Sequence, residues 1–191
     1  MALNPEDSAE FFIPALAPVY RRFAQPLGWA VFRLAVGGVL VYEGWPKMLA
    51  PMSQIGFVEM AGFHPGWLFS PILAAMQLFG GILIMLGLFT RPAALANGVM
   101  LLLTLWFHVS HPFGHAFITP EGLQLIQQNA ALYLTPQGRA RLIPDGGVTF
   151  LDLVQSKAEY ASLFWAGGAL LIAAFGGWHF SLDRRFFKRE F

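Results

Sequence analysis

Four stretches, approximately residues 27–45, 67–88, 92–109 and 161–178, are almost unbroken runs of apolar residues. A hydrocarbon core of roughly 30 Å is crossed by about 20 helical residues, so each run is long enough to span it. A single segment immersed in lipid can satisfy its backbone polar groups only as a helix. The chain is therefore expected to be an all-α membrane protein, a four-transmembrane-helix bundle over residues 27–183. Composition agrees: the 191 residues are 56% hydrophobic and only 12% charged, with a mean hydropathy of +0.55, whereas about a quarter of a soluble domain is charged. Trp29, Trp45, Trp67, Trp106 and Trp178 fall near span ends, as an interfacial aromatic belt requires.

Charge sets the expected direction. Arg21 and Arg22 precede the first span, Arg91 sits in the turn between the second and third, and Arg184, Arg185, Lys188 and Arg189 follow the fourth. The other side carries Lys47, Arg139, Arg141 and Lys157, most of them in a long loop that counts for less. Both termini are thus expected in the cytoplasm. Residues 1–26 form a lead-in whose Glu6, Asp7 and Glu10 precede a proline-broken apolar run, without the basic start or cleavage site of a signal peptide. Residues 184–191 form a basic tail.

Net charge is +1, and the basic residues are not interleaved into a patch, which argues against a nucleic-acid partner. The absence of cysteine removes thiol chemistry, thiolate metal ligation and iron–sulfur ligation from this chain.

Two segments facing the outer side break the apolar pattern. Met48 to Gly66 is punctuated by proline and glycine yet contains Ile55, Phe57, Val58, Met60 and Phe63, which predicts a short helix folded back over the bundle. The loop 111–160 is too long for a bare connection. Thr119-Pro120 is a helix start, Leu123, Ile126, Ala130 and Leu134 recur at helical spacing, and Thr135-Pro136 is a stop, so an amphipathic surface helix is expected. Arg139 to Ile143 and Val148 to Leu151 flank Pro144-Asp145-Gly146-Gly147, which reads as a small β-hairpin. Within the spans, Gly37-Gly38, Gly80-Gly81 and Gly167-Gly168 mark faces where helices approach closely.

Ionisable groups in a span are costly, so each is a functional candidate. Arg33 lies about two turns inside the cytoplasmic end of the first span, where it either serves a site or snorkels to the interface. Glu43 and Lys47, one turn apart at the outer end, are either site residues or an interfacial ion pair. Gln77 at mid-depth either serves a site or joins helices by a hydrogen bond. His108, His111 and His115 close the third span; three imidazoles this close suit proton handling, and less readily a metal ion or haem iron, since Pro112 and Gly114 break the helix between them. Topology brings Glu43, Lys47, His108, His111, Glu159 and Trp165, with His64 and Trp67, to the outer leaflet. A polar site rimmed by aromatics at an interface suits the head group of a lipophilic redox carrier such as a quinone.

Arg33-Leu-Ala-Val-Gly37-Gly followed by Glu43-Gly44-Trp-Pro-Lys47 resembles the first helix of the DoxX family. Gly62-Phe-His-Pro65 resembles its outer loop, and Gln77-Leu-Phe-Gly80-Gly81 through Thr90-Arg91-Pro-Ala is similar to its second helix and turn. Gly176-Gly-Trp-His-Phe-Ser181-Leu182-Asp183 is similar to its closing motif, so the resemblance runs from about Arg33 to Asp183. It implies a small membrane protein of a bacterial or archaeal inner membrane, linked to quinone-dependent oxidation. The related DoxD subunit belongs to a thiosulfate:quinone oxidoreductase, although many members have no known activity. Gln77 stands where the family often has glutamate, which removes a proton-transfer role from that position.

These readings converge on an inner-membrane subunit of a quinone-linked oxidoreductase. Glu43 and His108 would handle protons, and Arg33, Lys47, Gln77, His111, Glu159 and Trp165 would hold the cofactor, with an unidentified donor. The alternative is a non-catalytic membrane anchor or assembly partner that holds a soluble redox enzyme through residues 111–160. A transporter is weaker, because the spans lack broken helices and an inverted repeat.

Overall fold

A computed structural model describes residues 13–111, 120–142, 144–178 and 180–188. Short helical turns over Pro14–Leu16, Ala17–Val19 and Tyr20–Ala24 run without a break into α1 (Gln25–Leu49). There follow α2 (Ile55–Met60), α3 (Gly66–Leu86), α4 (Thr90–Ser110), α5 (Pro120–Gln128), α6 (Ala130–Tyr133), α7 (Pro136–Leu142), α8 (Val148–Phe175) and α9 (Leu182–Phe187). Four helical stretches, Ala17–Leu49, α3, α4 and α8, are long and apolar enough to cross a membrane. At 1.5 Å per residue the 21 residues of α3 measure about 31 Å, the thickness of a hydrocarbon core.

The bundle is built from two close pairs, α1 with α3 and α4 with α8, joined mainly where α3 meets α4; α1 and α8 meet only sparsely. Glycine sets the first pair's spacing. A Cβ on Gly37 would lie 2.7 Å from the Gly81 carbonyl oxygen, and one on Gly81 would lie 2.8 Å from that of Gly37. Of the other doublet members, Gly38 and Gly167 face open space instead. Val36, Leu40, Ile84, Ala94, Met100, Leu101, Ala166, Ala169 and Ile172 form the buried core.

One end of the bundle, carrying α9 and the α3–α4 turn, is held by several hydrogen bonds between elements far apart in the chain. Gly87 ends α3 at φ 70°, in the left-handed conformation that glycine adopts most readily, with Leu88 N–H donating back to Leu83 O at 2.9 Å. The Gly87 carbonyl in turn accepts from Asp183 N–H at 2.9 Å and Ser181 Oγ at 2.7 Å. Buried Arg33 donates to Gly177 O at 2.5 Å and Phe180 O at 2.6 Å, and Trp29 Nε1 to Gly176 O at 2.9 Å. Arg33 therefore does not snorkel: its guanidinium closes the bundle within electrostatic reach of Asp183, while the Asp183 carboxylate bonds to Phe89 and Thr90.

The opposite end, the loop end, is capped by α2, whose Val58 is buried and whose Glu59 Oε1 accepts from Gly66 N–H at 3.0 Å. The short folded-back helix expected there is present. Three other expectations change. The single amphipathic helix is two pieces, because Asn129 (φ −118°) turns its side chain onto Leu125 O at 3.2 Å and interrupts the backbone ladder. The β-hairpin is absent: Arg139 to Leu142 lie in α7, and Val148 to Leu151 are the first turn of α8. The turn residues between them serve as a helix start instead, with Asp145 Oδ2 accepting from Thr149 N–H at 2.9 Å. Finally, the fourth spanning helix begins at Val148 rather than near 161, so most of the supposed loop's second half is a rigid extension of it.

Candidate functional site

The loop end gathers polar side chains from all four long helices. Gly44 brings the end of α1 against α3 so closely that a Cβ there would lie 2.7 Å from Leu78 N. That approach places Lys47, three residues on, above Gln77, and Lys47 Nζ donates to Gln77 Oε1 at 2.7 Å. Gln77 is only 4% exposed. Glu43, one turn before Lys47 and within its electrostatic reach, is exposed.

The second half of the site comes from α4 and α8. His108, in the last turn of α4, is buried. Gln155 on α8 donates through Nε2 to His108 O at 2.7 Å and to Glu159 Oε1 at 2.6 Å, so a single amide fixes both the helix end and the carboxylate. His108 lies within electrostatic reach of both Glu159 and Lys47, which joins the two halves. The site thus holds an ammonium, two carboxylates and an imidazole with two amides around them. Such a set can donate hydrogen bonds to a polar head group, balance its charge and relay protons.

Of the expected residues, Glu43, Lys47, Gln77, His108 and Glu159 come together. His111 lies beside them, its ring stacked on Phe107 at 4.7 Å and Phe107 in turn edge-on to Phe57 at 4.8 Å; its buried Nδ1 has no hydrogen-bond partner among the described residues. Trp165 stands six residues beyond Glu159 along α8, packed on the core. Arg33 belongs to the far end, and His64 and Trp67 are exposed. His115 lies outside the described residues. Among the described residues no three His, Cys, Asp or Glu side chains are grouped so as to hold a metal ion. Sequence reasoning missed Gln155: a glutamine in what read as a loop looks like surface, and only its position one turn before Glu159 on a continuous helix could have drawn attention to it.

The DoxX family model matches residues 28–110. The chain carries a DoxX domain. The match runs from the start of α1 to the end of α4 and so takes in Arg33, Glu43, Lys47, Gln77 and His108, whereas Gln155, Glu159 and Trp165 come from the helix beyond it. No curated protein and no solved structure matches the chain.

Proposed function

We propose that this DoxX-domain protein is a membrane subunit of a quinone-linked oxidoreductase, holding the quinone head group at the loop end. The observation that carries the reading is the meeting of Lys47 and Gln77 from one helix pair with His108, Gln155 and Glu159 from the other, inside a membrane bundle. Polar groups at that depth are costly, and a cluster contributed by four helices is a site by default. The donor set fits a quinone: after its bond to Gln77 the Lys47 ammonium has further N–H donors for one carbonyl oxygen, and His111 Nδ1 lies nearby. A bound quinone supplies the couple that takes up two electrons and two protons. The chain's part is to orient the head with Lys47, and to carry protons between the exposed Glu43, the buried His108 and the Glu159 carboxylate fixed by Gln155. The arginine bias supports an orientation with this end at the outer leaflet of an inner membrane.

Organic extracts of the purified protein are expected to contain quinone approaching one molecule per chain, with Lys47→Gln lowering that ratio. Glu43→Gln is expected to depress quinone-dependent turnover in membranes while leaving insertion intact. Extracts free of quinone, or wild-type turnover in both Glu43→Gln and His108→Ala, would sink this reading. A second reading, a non-catalytic membrane anchor or assembly partner for a soluble redox enzyme, is supported by the structured segment α5 to α7 and the start of α8. Copurification of a soluble partner with no quinone favours it.

A further inference from the structure

The helices α1 and α8 touch at two levels: Trp29 meets Phe175 edge-on at 5.9 Å, and nearer the loop end Gly168 faces Val36 and Phe32. There a Cβ on Gly168 would lie 3.0 Å from Val36 Cγ2 and 3.4 Å from the Phe32 ring. Follow each helix from that contact toward the loop end. On α1, Glu43 comes seven residues after Val36 and eleven after Phe32, spacings that return it to the same face. It is nevertheless exposed. Glu43 is ten residues, about 15 Å, beyond Arg33 toward the loop end of the helix. A carboxylate open to hydrocarbon there would be costly. On α8, Trp165 and Ala161 come three and seven residues before Gly168, again on the contact face, and with Lys157, Tyr160, Leu163 and Phe164 of the same helix they line a shallow, open surface groove of about 640 Å³.

We infer that the outer half of the α1–α8 seam is a lateral port, through which a lipid-soluble carrier reaches the polar cluster from within the membrane and where its hydrocarbon chain lies along the aromatic groove. This rests on the quinone reading above and adds where the chain of the molecule goes. The walls differ in the way such a molecule does. The α8 side is apolar and aromatic, while Glu43, within reach of Lys47, marks the way to the polar head site. Chain length becomes a determinant of affinity, since each buried methylene contributes to it.

The probes are decyl-ubiquinone and its tailless benzoquinone head, titrated against the intact protein in nanodiscs. Wild type should bind the tailed compound far more tightly. Ala161→Trp, which fills the groove, should weaken the tailed compound by about tenfold or more and change the tailless one less than about twofold. Phe164→Ala, which removes the aromatic wall without crowding, should do the same more mildly, and serves if the tryptophan variant does not fold. If both variants bind both compounds as wild type does, the port is wrong and the head site stands. If wild type binds neither compound, the head-site reading fails and the port fails with it. Efficient disulfide formation between two copies carrying Ala161→Cys, in a chain that has no other cysteine, would show the groove to be covered by a second copy and would overturn the port.

Discussion

Asp183 caps the start of α4 from 93 residues away: its carboxylate accepts from Thr90 N–H at 3.0 Å and from the Thr90 hydroxyl at 2.9 Å, while its other oxygen takes Phe89 N–H at 2.7 Å. Phe89, the residue at the cap position, is in the left-handed region and offers no side-chain bond of its own. A carboxylate at a helix N-terminus satisfies orphan N–H groups and complements the helix dipole.

Asp183→Ala removes three bonds to a charged acceptor and leaves two buried N–H groups without one, so it should cost about 3 kcal/mol or more, whereas Thr90→Val should cost about 1 kcal/mol. Thermal unfolding in detergent measures both. Equal and small losses would show that the cap contributes little.

Close backbone approach between α1 and α3 leads to a contrast within one helix. Gly44→Val should abolish correct assembly, because its Cβ would meet the Leu78 backbone, which cannot move aside as a flexible side chain could. Gly38→Ala, with open space around it, should be neutral or stabilising by about 0.5–1 kcal/mol through helix propensity. Folded yield and melting temperature of the two variants decide it.

The arginine bias predicts orientation. A single cysteine in place of exposed Phe186 should resist a membrane-impermeant thiol reagent in intact cells, and one in place of exposed Gln137 should be labelled. The reverse pattern would put the polar cluster on the cytoplasmic side.

Asp145 gives a pH signature outside the membrane. Bonds from the Thr149 hydroxyl, and then from Thr149 and Gly147 N–H, hold its carboxyl below the ordinary aspartate value of 3.8. With a depressed folded value, its contribution is complete above 3.8 and fades as pH falls through the lower folded value. Amide exchange in the first turn of α8 should be faster in Asp145→Asn than in wild type near neutral pH, and the difference should vanish in strong acid. A difference that persists there would assign the effect to shape rather than charge.

Hydropathy marked the ends of the helices α3 and α4 to within two residues, whereas the first helical stretch begins at Ala17, ten residues before the apolar run that announced it. The helix α8 begins thirteen residues before the expected fourth span because it continues beyond the apolar run through Asp152, Gln155, Lys157 and Glu159, which hydropathy reads as loop although nothing among them breaks a helix. Pro144 to Gly147 are turn residues in either reading; only Asp145 reaching forward to Thr149 decides that a helix follows. The site was legible where residues share a helix end, as Glu43 and Lys47 do. The partners that cross between helices were not: Lys47 bonds Gln77 rather than depending on Glu43 alone, and Arg33 and Asp183, within electrostatic reach of each other, each satisfy separate backbone groups.

The length of α8 has a mechanical meaning. At 28 residues it is about 42 Å long, so roughly 10 Å stands proud of a core that α3 just spans. A continuous helix passes tilt along its axis instead of absorbing it, and this one is tied to the end of α4 by the Gln155 amide. Whatever grips the projecting segment outside the lipid therefore loads the end of α4 as well, at the polar cluster and not at the end stitched by Trp29, Arg33 and Asp183.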